Sequence, residues 1–217
     1  MRNLILIAAP GAGKGTLSKD LLEKYEYVHI STGDLLREQV KLGGKLGKEI
    51  AKIQEAGGLG SNEIVYEALE KKLSDKACDN GYILDGFPRN LEQAKEYDNI
   101  LKKTERDLGV VIVLDIPKEE LIERITGRFT CSECGEIHNI YNDELKPKKE
   151  GICNKCGGKL TQRKDDNRES FEARYKTYLE STAPLIDYYK EKGVLNVIDS
   201  SKGHLHTLEQ AEKLLNK

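Results

Sequence analysis

Asn3 to Thr16 reads NLILIAAPGAGKGT, an apolar run followed by a glycine-rich turn that closes on Lys14. The spacing predicts a buried strand over Leu4–Ile7, a loop at PGAGKG too small-sided to shield its own backbone, and a helix from Thr16 through LSKDLLEKY. Strand, loop and helix follow in that order. Such a loop aims several backbone N–H groups at one point beside a helix N-terminus, which attracts phosphate, and Lys14 adds a mobile positive charge. The general P-loop pattern asks for Gly at position 8 and Ser or Thr at 15, where this chain has Ala8 and Gly15. The bland alternative is a strand-to-helix turn with a surface lysine.

Length and composition set the bounds. A chain of 217 residues, 38% hydrophobic and without Trp, can bury one α/β core with small excursions. Lys and Arg number 35 against 37 Asp and Glu, a net charge of −2 that argues against a general nucleic-acid binder. No apolar run reaches the roughly 18 residues of a membrane span, and the start does not resemble a signal peptide. The expectation is a soluble, cytosolic monomer whose five cysteines stay reduced.

Along the chain, Tyr27–Thr32 reads as a second strand, and Gly33-Asp34 opens a helix to about Leu42. KLGKEIAKIQEAGG continues a helical excursion hinged near Thr32 and Gly60, and a helix follows over Glu63–Leu73. Gly81–Gly86 is the next buried strand and ends at Asp85, with a helix from Asn90 to about Lys103. Val110–Ile116 is the fourth strand. Pro117 then takes the first position of a helix carrying both Arg124 and Arg128. Val194–Asp199 and a helix over Leu205–Leu215 close the pattern. Strands alternating with helices imply a five-stranded parallel sheet flanked by helices, with ligands at the carboxyl ends of the strands.

Between Arg128 and Asp165 the pattern changes to Cys131-x2-Cys134, eighteen intervening residues, then Cys153-x2-Cys156. Two such knuckles match a zinc ribbon, and a closed four-thiolate shell makes the metal structural. His138 is a fifth potential ligand, although four cysteines already fill the shell. Cys78 lacks a partner at metal spacing and reads as a small core residue.

With GxPGxGKGT-like residues 8–16, STGDLLR (31–37), LDGFPRN with Gln93, Gly127-Arg128, the cysteine knuckles, QRKDDN (162–167) and TAPLIDYY (182–189), the chain resembles adenylate kinases over essentially its whole length. The resemblance implies a P-loop kinase core over 1–30, 61–126 and 167–217, an AMP-binding excursion at 31–60, and a zinc-binding lid at 127–166. It also implies the reaction of ATP with AMP to give two ADP, with Mg2+. By that likeness Gly11, Ala12, Gly13, Lys14, Gly15 and Thr16 would hold ATP phosphates. Arg124 and Arg128 would lie against ATP, Ile137 and His138 would touch it from the lid, and the Lys202 backbone would approach its adenine. Thr32, Arg37, Gly58, Leu59, Gly60, Gly86, Phe87, Pro88, Arg89 and Gln93 would hold AMP, with the Gln93 amide reading the adenine edge. Arg163 and Arg174 would bridge the phosphates, and Asp85 would hold magnesium through water. The chain departs from the family at Ala8, at Leu59-Gly60-Ser61-Asn62, at Phe129, over Asn142–Lys149 and at Ser200.

The chemistry explains the residue types. Phosphoryl transfer between nucleotides gathers negative charge while the attacking oxygen is already ionised, so positioning and neutralisation by arginine matter and a general base does not. Surface ion pairing is the competing explanation for each arginine: Glu120 lies one turn before Arg124, whereas Arg174 has no acid at helical spacing. Asp166 with Glu169 reads either as a capping box or as an orienter of arginine. A kinase for UMP, CMP or GMP and a zinc-ribbon binding module are the competing functions.

Overall fold

The computed structural model describes residues 2–32, 35, 40, 41, 43, 44, 47, 48, 50, 62–163 and 165–216. Five parallel strands form the central sheet: β1 (Leu4–Ala8), β2 (Val28–Ser31), β3 (Tyr82–Asp85), β4 (Val110–Asp115) and, counting past the three short strands of the lid, β8 (Leu195–Asp199). Their spatial order is β2-β3-β1-β4-β8. The register sets Leu6 beside Asp85 and Ala8 beside Leu114, so the carboxyl ends of β1, β3 and β4 lie along the same edge of the sheet.

Alternation along the strands builds two cores. Ile5, Ile7, Val111 and Val113 face one side with Leu84, against residues of α2 (Asn62–Leu73), α3 (Leu91–Lys103) and α6 (Pro184–Glu191). Leu4, Leu6, Val110, Ile112 and Leu114 face the other, against α1 (Lys14–Lys24), α4 (Lys118–Thr126), Phe171 of α5 (Arg168–Thr177) and α7 (His204–Leu215). Such two-sided burial is why these strands are continuous apolar runs. Cys78 joins the first core, as expected of a small buried residue.

Between β2 and α2, the described Thr32, Leu35, Val40 and Ile50 are helical, and Leu35 and Ile50 are buried in the first core. The remainder of the expected excursion, residues 51–60 among it, lies outside the described residues. The lid carries a three-stranded antiparallel sheet of β5 (Arg128–Cys131), β6 (Ile137–Asn139) and β7 (Leu160–Thr161), ordered β6-β5-β7. No helix among the described residues is long and apolar enough to cross a membrane.

Several expectations are corrected. The first helix starts at Lys14, two residues before Thr16, because Gly13 at φ +94° turns the chain directly into it. Pro117 precedes its helix instead of opening it, and α4 stops at Thr126, so Arg128 is a strand residue. The cause is Gly127: a Cβ there would come within 2.5 Å of Asn139 Oδ1 and Tyr141 Cδ2, where the lid hairpin crosses. Arg124 and Arg128 therefore do not share one helix. Asn167, not Asp166, caps α5, its side chain accepting from the Ser170 N–H at 2.9 Å. The long helix beyond it is interrupted by a wide turn over Tyr178–Thr182, where Ala183 N–H donates to the Tyr178 carbonyl.

Candidate active site and metal centre

The glycine loop leaves β1 and enters α1 with no side-chain cap and no acid in the first turn, so the orphan N–H groups and the helix dipole are left for an anion. Gly11, at φ +88°, is pressed against α4: a Cβ would meet Ile125 Cγ1 at 2.9 Å. Lys14 Nζ forms an ion pair with Asp85 Oδ1, and His29 Nε2 stands 3.4 Å from Asp85 Oδ2. Burial alone would raise the Asp85 carboxyl, but the hydrogen bond from His29 and the Lys14 ammonium outweigh it and hold the group at about 2.

Asp85 is followed at once by a second cluster. Gly86, at φ +77°, presents its carbonyl to Arg89 Nε at 2.8 Å and to Thr32 Oγ1 at 3.5 Å. Phe87 is buried in the first core and Pro88 follows it through a cis peptide bond. Arg89 N–H donates to Gln93 Oε1 at 2.7 Å, and the Thr182 hydroxyl donates to the Arg89 carbonyl at 2.9 Å. The wide turn after α5 therefore braces the Asp85–Gln93 segment from the far end of the chain.

On the other side of the loop, Arg124 Nη2 donates to the Ser200 carbonyl at 2.7 Å, and Ser200 Oγ donates to the Ala12 carbonyl at 3.0 Å. Arg124 Nη1 lies 3.9 Å from the place a Cβ on Gly13 would occupy, so the guanidinium sits against the loop. Glu120 is only a distant partner at 3.9 Å.

Two further arginines are held by acids. Arg128 meets Asp166 through two N–H groups at 2.9 and 2.5 Å. Arg174 Nη1 donates to Asp165 Oδ2 at 2.9 Å and Nη2 to the Asp165 carbonyl at 3.0 Å. The expectation that no acid accounts for Arg174 is thus corrected: the partner stands before the helix, nine residues back. Arg163 is exposed, as is Lys202, whose Nζ lies 3.5 Å from Asp199 Oδ2. Arg37, Gly58, Leu59 and Gly60 lie outside the described residues.

In the lid, one sulfur from each of Cys131, Cys134, Cys153 and Cys156 falls within 4.8 Å of all the others. Contacts of 3.4 Å (131–156), 3.7 Å (134–153) and 3.3 Å (134–156) match the roughly 3.8 Å edge of a tetrahedron built on ~2.3 Å zinc–sulfur bonds. Disulfides, at ~2.05 Å, do not fit these separations. Backbone N–H groups of Lys155 and Gly158 point at the Cys153 and Cys156 sulfurs at 3.3 and 3.4 Å, as donors to thiolate. His138 is 3% exposed, with Nε2 3.5 Å from Cys153 Sγ and Nδ1 3.1 Å from the Leu145 carbonyl. Its hydrogen bond pulls the Cys153 thiol down to about 6. The ring thus faces the sulfurs, and Ile137, beside it, is exposed.

A family model described as adenylate kinase matches residues 6–194. A relative from Archaeoglobus fulgidus named adenylate kinase is 44% identical over 216 residues, covering 99% of this chain and 98% of the relative. Those from Thermotoga maritima and Clostridium tetani, named likewise, are each 41% identical over 216 and 213 residues, with 97% and 98% of their own lengths covered. The chain belongs to the adenylate kinase family.

Within an adenylate kinase, a nucleotide-binding phosphotransferase, the two clusters either side of Asp85 acquire a natural division. Gly11, Lys14, Arg124 and Asp85 gather around the loop, whereas Thr32, Gly86, Arg89 and Gln93 gather beyond Asp85. Sequence reasoning missed Ser200 and Thr182 as parts of this adenylate kinase site. Ser200 was visible only as a departure from the family, and Thr182 only as one residue of a matching segment.

Proposed function

We propose that the chain catalyses reversible phosphoryl transfer from ATP to AMP, giving two ADP, with Mg2+ accompanying ATP. The observation that carries this reading is the Lys14–Asp85 pair: it joins the phosphate loop to the strand whose next residues are Gly86, Arg89 and Gln93. Donor phosphates on the loop and an acceptor phosphate on Arg89 would then meet across one carboxylate.

In this account Lys14 leaves Asp85 for the phosphates, together with Arg124. Asp85, ionised at any ordinary pH, is suited to hold a hydrated magnesium ion, which would neutralise phosphate oxygens. The acceptor oxygen is already an anion, so no side chain has to remove a proton. Arg37, Thr32 and Arg89 would hold the AMP phosphate; Arg128, Arg163 and Arg174 would come in from the lid and its root.

The organisation proposed is a core over 1–30, 61–126 and 167–217, an AMP-binding unit at 31–60 with Gly58, Leu59 and Gly60 in its wall, and a lid at 127–166. Glu136 meets Lys19 of α1 at 3.6 Å, so the lid rests against the core helix that starts at the phosphate loop. Zinc in the four-thiolate shell would stiffen the lid, since a filled shell leaves no position for reacting water. ATP contacts from Ile137, His138 and the Lys202 backbone, a cytosolic location and a monomeric state complete the reading.

The test is substitution of Lys14→Ala and of Arg89→Ala. Each should abolish ADP formation while the melting curve stays cooperative, and near-normal turnover in either would contradict the proposal.

A further inference from the structure

The side chain of Gln93 is tied at both ends. Its Oε1 accepts from the Arg89 backbone N–H at 2.7 Å, and its Nε2 donates to Asn62 Oδ1 at 3.0 Å. Asn62 in turn donates from Nδ2 to Glu92 Oε1 at 3.3 Å. The orientation of both amides follows from the ends of this relay. A backbone N–H can only donate, so Gln93 must present oxygen to it and nitrogen to Asn62; a carboxylate only accepts, so Asn62 must present nitrogen to Glu92 and oxygen to Gln93. The two demands agree.

An amide carries two acceptor sites and two N–H donors. After these contacts Gln93 retains one lone pair and one N–H. Adenine offers an N–H at position 6 and an acceptor at N1, which this remainder matches. A 6-oxopurine in the same pose offers an acceptor at position 6 and an N–H at N1, the reverse. A free glutamine would serve either base by turning its amide through half a circle. This one cannot turn without setting NH2 against the Arg89 N–H and oxygen against the Asn62 oxygen.

We propose that Asn62 is a positioning residue for acceptor-base recognition: with the Arg89 backbone it locks the Gln93 amide in one orientation, and so admits 6-aminopurine monophosphates while rejecting 6-oxopurine ones. The inference rests on the reading of Gln93 as the base contact.

The test is steady-state kinetics with AMP and with IMP as acceptors, for Asn62→Ala, Asn62→Lys, Asn62→Asp and Gln93→Leu, with melting curves for all. Asn62→Ala should raise KM for AMP and the IMP-to-AMP ratio of kcat/KM, each roughly tenfold as for one lost hydrogen bond, with kcat at saturating AMP unchanged. Asn62→Lys keeps a partner for Glu92, removes the acceptor and should do the same, which guards against a folding defect in the alanine variant. Asn62→Asp restores an acceptor and should keep the wild-type ratio. If Asn62→Ala and Asn62→Lys change melting but neither KM nor the ratio, Asn62 is only a brace between α2 and α3 and the proposal fails. If Gln93→Leu also leaves KM for AMP unchanged, it is the reading of Gln93 that has failed; if Gln93→Leu raises it and the Asn62 variants do not, the locking role alone is refuted.

Discussion

Arg128 and Asp166 clasp the two roots of the lid: two N–H groups of one guanidinium meet one carboxylate, across 38 positions of sequence, and the Asp166 side chain is 1% exposed. The pair joins the first residue of β5 to the residue just before the cap of α5. The segment between them carries β5–β7 and the four-cysteine cluster, and this pair ties its two ends together.

Removing one partner of so buried a pair leaves a charge unmatched, at a cost of about 3 kcal/mol. Asp166→Ala should therefore lower the urea midpoint sharply. Adding Arg128→Ala should recover part of the loss, a coupling that a double-mutant cycle in denaturant would measure. Strict additivity of the two substitutions would show that the clasp is not an energetic unit.

The metal centre predicts a second asymmetry. Stripping the ion should lower the melting temperature by several degrees while phosphoryl transfer at mild temperature changes little, because the sulfurs lie in the lid and not at the loop. Metal content should be one zinc per folded chain, with four thiols released on chelation and Cys78 accessible only after unfolding. An apo-protein that melts as the loaded one does would rule out the structural role.

Asp85 gives a prediction in pH. Its carboxyl sits at about 2 in the fold against an ordinary 3.8, so its contribution to stability is fully present above about pH 5 and is lost as the pH falls through about 2. A displacement of that size is worth roughly 2 kcal/mol. Nucleotide-free Asp85→Asn should therefore be less stable than the parent at pH 6, with only about a third of that gap left at pH 2.5, in paired denaturant titrations. An equal gap at both values would remove the Lys14 and His29 contacts as its cause.

Ser200 fastens the phosphate loop to β8 through one hydroxyl bond to Ala12, buried at 2% exposure. Ser200→Ala should cost about 1 kcal/mol. It should raise KM for ATP more than KM for AMP, because the loop and Arg124 are affected and the Gly86–Gln93 segment is not. Equal effects on both substrates would place the clamp elsewhere.

Local pattern made the core legible and long-range geometry did not. The strand, loop and helix at residues 4–24 could be read because burial on both faces makes β1 wholly apolar and the phosphate loop must expose backbone. The cysteine knuckles were legible for the same reason, since metal spacing is a local property. Arg128 was misplaced because ITGRF continues a helical pattern, and only the crossing of Asn139 and Tyr141 over Gly127 forbids it. Asp165 and Asp166 are chemically alike and adjacent, so nothing in the sequence says that one meets Arg174, the other Arg128, and that Asn167 takes the cap. The tie from Gln93 to Asn62 spans 31 positions between two helices whose packing no spacing rule predicts.

The most direct test of the whole account is ADP formation from ATP with AMP, UMP, CMP and GMP offered separately as acceptors, in the presence of magnesium. The account predicts rapid turnover with AMP, little with the other three, and none with AMP once Lys14 is alanine. Turnover with UMP, CMP or GMP in preference to AMP would contradict it.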